Sequence, residues 1–175
     1  MAIARSNRRV SATRIVALAR DLLEASPLCA IATVASGDRA HVNTAYFAWS
    51  ADFQLVWLSE PRARHSRNLD VNGSAAIVVH DSHQTWGYAD RGIQLFGRAR
   101  RVEGAAEEAA AALYAERFAA FDTAGPSAYA FYVFRPSRLR LFDERALGSG
   151  TFVTTRVDRV GTTSWEQTEI YKSTL

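Results

Sequence analysis

Between residues 57 and 69 the chain reads Trp57-Leu58-Ser59-Glu60-Pro61-Arg62-Ala63-Arg64-His65-Ser66-Arg67-Asn68-Leu69. An apolar, β-prone run ends in a hydroxyl, and Arg62, Arg64, His65 and Arg67 follow on a predicted short helix over 63–70, closed by Val71-Asn72-Gly73. Helix N-terminal N–H groups, a hydroxyl donor and guanidinium forks meeting at a strand-to-helix corner suit a phosphate. Ser59 can donate its hydroxyl, while Arg64 and His65 stand at the helix start, where the dipole favours anions. Arg67 and Asn68 lie a turn further on and can hold the helix to the rest of the domain instead. On this segment alone, a phosphate site and a charged, solvated surface helix explain the residues equally well.

Other candidates carry less. His80-Asp81-Ser82-His83 has an H-x-x-H spacing, but it falls on a strand end with no third ligand nearby, so a solvated turn is expected there and no metal. Gly148-Ser149-Gly150 is too short for a dinucleotide loop, and no nucleophile-elbow context supports covalent hydrolysis. Glu107-Glu108 reads as a solvated helix face. Cys29, the sole cysteine, lies in an apolar run, which rules out an internal disulfide and fits a reducing compartment. With no apolar run near the ~18 residues of a membrane span and no apolar h-region in residues 1–10, a cytoplasmic protein is expected, without a membrane partner.

The elements that must position the corner follow from pattern. Ser11 caps a helix with Ile15, Leu18, Ala19, Leu22 and Leu23 on one face, stopped by Ser26-Pro27. Strands are expected at 28–35 and 41–49 around the turn Ser36-Gly37-Asp38, then at 53–58, 75–80 and 92–102, with Gly97 at a bend. An alanine-rich helix covers 103–118, and strands at 129–135, 138–143 and 150–157 close the domain. Strands joined by such short turns are antiparallel, which gives an α+β domain built on an antiparallel barrel over residues 11–157. Its 175 residues, 48% hydrophobic, support one core and not two. The net charge of +3 is spread along the chain except at Arg5, Arg8, Arg9 and Arg14. Residues 1–10 therefore read as a flexible, solvated basic arm and not a nucleic-acid reader, and 158–175 as a loosely ordered polar tail.

Taken in order, Leu28-Cys29-Ala30-Ile31-Ala32-Thr33-Val34, His41-Val42-Asn43-Thr44-Ala45-Tyr46-Phe47, Leu55-Val56-Trp57-Leu58-Ser59, Arg64-His65-Ser66-Arg67-Asn68-Leu69 and Arg91-Gly92-Ile93-Gln94-Leu95-Phe96-Gly97-Arg98-Ala99 resemble the pyridoxamine 5'-phosphate oxidase-like FMN-binding split barrels over about residues 12–145. The resemblance implies a six-stranded antiparallel split β-barrel with flanking helices, forming a homodimer that holds FMN in clefts at the subunit interface. It implies that the flavin ring lies along Asn43, Thr44, Ala45, Tyr46 and Phe47 and the strand end at Leu58 and Ser59, and that Gln94 approaches the ring. Phosphate contacts carry over to Ser59, Arg64 and His65. The family often has Arg-Lys where this chain has Arg64-His65, which makes the second contact pH-dependent. No histidine follows His83, so the family's Arg-x-His substrate motif is absent and vitamin B6 oxidation is not expected.

The implied activity is that of an FMN-dependent oxidoreductase on a small molecule. No catalytic acid or base is nominated; Tyr46 and His41 are the nearest residues to that role, each expected to be structural or beside the cofactor. Three alternatives use the same barrel: a flavin carrier or sensor without turnover, a haem-binding protein with His80 or His83 as axial ligand, and a deazaflavin-dependent reductase.

Overall fold

A computed structural model describes residues 2–81, 83–121 and 128–172. Met1 of the expected arm, Ser82 of the H-x-x-H stretch and residues 173–175 of the expected tail lie outside them. The elements are β1 (Ala2–Ser6), α1 (Ala12–Glu24), β2 (Leu28–Ala35), β3 (Arg39–Tyr46), β4 (Ala48–Trp49), β5 (Leu55–Ser59), α2 (Arg64–Val71), β6 (Ser74–His80), β7 (Arg91–Arg101), α3 (Ala105–Arg117), β8 (Ala130–Asp143), α4 (Glu144–Leu147), β9 (Thr151–Val157) and β10 (Thr163–Lys172). They fall into two compact units. One contains the chain up to Ser26, Val78–Leu95 and everything from Ser137; the other contains Pro27–Ile77 and Phe96–Pro136.

In the first unit the hydrogen-bonded strand order is β1-β10-β9-β8-β7-β6. Ser11 caps α1 by accepting from the Arg14 N–H at 3.3 Å, and Ile15, Ala19, Leu22 and Leu23 are the buried face, as the periodicity requires. Arg138 and Arg156 face each other across β8 and β9, a like-charge pair that costs stability by itself. Glu166 sits at the register shift in β10 and bonds both, to Arg138 Nε at 2.8 Å and Arg156 Nη2 at 3.2 Å.

Both chain ends correct the sequence reading. Residues 2–6 are not a flexible arm but a strand paired antiparallel with β10, from Ala2↔Lys172 to Ser6↔Thr168. Arg8 donates to the Leu147 carbonyl at 2.7 Å, Arg14 donates to the Ala146 carbonyl, and the Arg9 guanidinium lies 5.1 Å from the Trp165 ring centroid. Two of the basic side chains thus satisfy carbonyls at the end of α4, and a third covers an aromatic. The polar run 163–172 is a strand because β1 and β9 pair it on both sides, which local hydrophobicity does not reveal.

In the second unit the order continues β8-β7-β6-β2-β3, with β5 joining β8 to β4. β2 and β3 form the expected hairpin, paired from Leu28↔Tyr46 to Ala35↔Arg39, with Gly37 and Asp38 at positive φ in the turn. The third strand starts later than its alternation suggests. Phe53 is buried in a left-handed turn conformation, and Leu55, Val56 and Trp57 are all buried, so β5 has two covered faces. Val56 packs in a cluster with Ala110 and Tyr114 of α3, Val102 and Phe131. β8 is a single strand where two were expected. Pro136 is accommodated opposite Gly97, where a Cβ would stand 2.1 Å from the Arg135 carbonyl oxygen. The pairs β1–β10, β10–β9, β8–β9, β5–β8, β4–β5 and β2–β3 are antiparallel, which with the flanking helices makes an α+β architecture.

Candidate functional site

β5 delivers Ser59 to its end, Glu60-Pro61-Arg62-Ala63 makes the corner, and α2 begins at Arg64, one residue later than predicted. Ala63 occupies the N-cap position and provides no side-chain bond, so the first N–H groups of α2 have no side-chain cap. The helix is anchored by its other face. Ser66, Asn68 and Leu69 are buried, and Asn68 Nδ2 donates to Thr33 Oγ1 of β2 at 3.0 Å. Asn68→Ala leaves that buried hydroxyl unpaired and should destabilise the protein by roughly 1–3 kcal/mol, measured as a lowered urea midpoint at unchanged slope.

On the anchored helix, Arg64 and Arg67 are exposed, and among the described residues no partner bonds the Arg64 guanidinium. His65 is half-buried and its Nε2 lies 2.6 Å from Ser59 Oγ; Ser59 is only 7% exposed. Ser66 Oγ lies 3.2 Å from the same hydroxyl. Burial first, and the nearby His41 second, hold the His65 imidazole below its ordinary range. Sequence reasoning did not find Ser66. Its only signal was a hydroxyl two residues before Asn68 on a helix with few apolar residues.

β3 alternates. His41, Asn43 and Ala45 are half-buried on one face, whereas Val42, Thr44 and Tyr46 are exposed on the other. Asn43 Nδ2 makes a 3.4 Å bond to the Thr44 carbonyl, and its Oδ1 is buried with no hydrogen-bond partner among the described residues. Tyr46 meets Phe118 edge-on at 5.8 Å. Phe47 is wholly buried beneath the Arg117 guanidinium, at 4.6 Å from its ring centroid, and its carbonyl accepts from Arg117 at 3.0 Å, so this side chain serves the core. Leu58 is half-buried against the Val56 and Phe131 cluster. The structure therefore brings together Ser59, His65 and Ser66, with His41 close enough for its charge to reach His65. Arg64 stands beside them at the helix start; Thr44 and Tyr46 point to the opposite face of β3. Gln94 is half-buried on β7 and belongs to the other unit.

The remaining sequence candidates stay as surface or core features. His83 Nδ1 lies 3.1 Å from Asp81 Oδ1 on an exposed turn, and His80 is exposed. No group of three metal-ligating side chains occurs among the described residues. Burial pushes the Cys29 thiol up to about 12, which makes it inert. Among the described residues no helix is long and apolar enough to cross a membrane.

The corner places uncapped helix N–H groups and an exposed guanidinium beside a hydroxyl and an imidazole that are bonded to each other. That set fits a phosphate monoester such as the FMN phosphate, and the orphaned Asn43 Oδ1 is an acceptor on β3.

Comparison with known proteins agrees with this architecture. A haem-binding protein of Mycobacterium smegmatis superposes with a TM-score of 0.69 at 24% identity, over 85% of this chain and 59% of its own. The chain thus spans about three fifths of that protein's length. A haem storage protein of Vibrio cholerae gives 0.58 at 23% identity, covering 68% of this chain and 89% of its own. A pyridoxamine 5'-phosphate oxidase-related, FMN-binding protein of Nostoc punctiforme gives 0.59 at 14% identity, covering 89% and 93%. No protein of curated function matches the sequence. Residues 15–143 match the model of the pyridoxamine 5'-phosphate oxidase family, a span that runs from α1 through the phosphate-fitting corner to the end of β8, and the chain belongs to that family.

Proposed function

We propose that the protein is an FMN-dependent oxidoreductase acting on a small molecule. The observation that carries the reading is the donor cluster of Ser59, Arg64 and His65 at the uncapped start of α2. Bound FMN would supply hydride or electron transfer through its N5. The chain's own part would be to bind and orient: Ser59, Arg64 and His65 would take the phosphate, and the β3 face with Asn43 and Ala45 and the β5 end at Leu58 would hold the ring. We place the protein in a reducing, cytoplasmic setting, on the ground that its sole cysteine has no partner for an internal disulfide.

β3 ends the strand order with Val42 62% and Tyr46 56% exposed, an apolar edge of the kind that a second copy covers. In this reading the protein is a homodimer, and Val42→Lys should shift it to monomer in sedimentation equilibrium; a dimer unchanged by Val42→Lys places the interface elsewhere.

The absorption spectrum of the protein as purified, with mass analysis of what denaturation releases, tests the cofactor. Flavin bands and released FMN support the proposal. A colourless protein that neither quenches FMN fluorescence nor gains thermal stability from FMN rejects it. The second reading, haem binding, is favoured by the fold shared with the two haem proteins and by the exposed His80 and His83. It requires a Soret band that disappears on replacing one of these histidines.

A further inference from the structure

The contacts around Ser59 link three groups into one chain, and in one of its polarities Ser66 is the donor at the far end. Ser66 Oγ donates to Ser59 Oγ at 3.2 Å, so Ser59 must direct its own proton elsewhere. His65 Nε2 at 2.6 Å is the close acceptor, and the Glu60 carbonyl at 3.5 Å is a poor competitor. In that polarity His65 is a neutral imidazole accepting at Nε2, with its proton on Nδ1. In this arrangement neither the Ser59 hydroxyl nor Nε2 offers a donor to an incoming anion. One added proton reverses the chain. Nε2–H then donates to Ser59 Oγ, which accepts from both His65 and Ser66, and the Ser59 proton is free to point outward.

We propose that the Ser66-Ser59-His65 chain is a proton-operated latch, and that a phosphate monoester binding at this corner takes up one proton onto His65. The latch rests on the FMN-phosphate reading above and adds to it a stoichiometry and a direction. The surroundings agree with it. Burial and His41 favour the neutral imidazole in the free protein, and an arriving dianion favours the charged one. α2 packs on β2 and β3. β2 brings only the buried Cys29; β3 brings Arg39, His41 and Tyr46, of which His41 is the group whose charge His65 feels. On the helix itself Arg64 and Arg67 flank His65 and Asp70 lies beyond the next turn, while Glu60 before it is 4.0 Å from Arg62. Burial and His41 oppose a charge on His65 until the anion offsets them.

Calorimetric titration of FMN into the apoprotein, in buffers of different ionisation enthalpy, counts the proton. At about pH 7.5 the phosphate, with a second pKa near 6, is already a dianion and contributes little itself. The expected result is uptake approaching one proton per FMN in the natural protein and none in His65→Lys, whose charge is fixed. His65→Gln, which cannot take the proton, should also show none, and it carries the test if the lysine variant fails to fold. FMN binding without proton uptake, or equal uptake by the natural protein and His65→Gln, overturns the latch and leaves the FMN assignment standing. Failure of FMN to bind removes both.

Discussion

Arg64→Ala should weaken FMN binding about tenfold or more, and Arg67→Ala should leave it within a factor of about two. Hydrogen bonds to charged groups contribute roughly 1.5–3 kcal/mol, and 1.4 kcal/mol is a factor of ten. Arg64 is exposed at the first position of α2, so solvent screening puts the loss toward the lower end of that range unless the bound cofactor covers it. Arg67 is also exposed and carries the same charge, yet lies one turn away from the helix start. The comparison therefore separates a placed guanidinium from general positive potential. Fluorescence quenching of FMN by each variant is the measurement, with riboflavin, which lacks the phosphate, as the ligand indifferent to Arg64. Equal losses for the two variants would mean that the fork has been assigned to the wrong arginine.

A second large effect lies directly behind the site. Trp57 is fully buried two residues before Ser59 and stacks on Tyr132, its register partner across β5 and β8, with ring centroids 5.8 Å apart and planes 14° from parallel. Trp57→Ala should destabilise the protein by about 3–5 kcal/mol, the range for a large aromatic removed from a packed interior. The polar ends of this pair predict the opposite sign. Trp57 Nε1 and the Tyr132 hydroxyl are both buried without a hydrogen-bond partner among the described residues. Tyr132→Phe removes an unpaired hydroxyl at almost constant shape, so stability should hold or rise. Urea unfolding of both variants checks this, and a loss above about 1 kcal/mol for Tyr132→Phe would show that the hydroxyl is satisfied in solution.

These residues also show what the sequence made legible. The capped α1, the hairpin around Gly37 and the strand-to-helix corner at Ser59 were readable because each is set by residues within a few positions of one another. The role of Asn68 as an anchor was readable as a possibility, but its partner Thr33, thirty-five residues away, was not. The same limit explains the arm. Nothing near Arg8 or Arg14 announces that their guanidinium groups end on the carbonyls of α4, more than 130 residues further along the chain. It explains β5 as well, since the strand expected at 53–58 gives no sign that Val56 packs against Ala110 and Tyr114 of α3, more than fifty residues further on. Phe47 sits in a stretch that the family resemblance places along the flavin, while its ring lies in the core beneath Arg117.

The pairing of β1 with β10 has a practical consequence. Trimming the first ten residues as a dispensable leader would strip the outer strand from β10 and remove the acceptor of the Thr168 hydroxyl, the Arg8 carbonyl at 2.7 Å. What remained would present a fresh row of unsatisfied backbone groups, an invitation to edge-to-edge self-association.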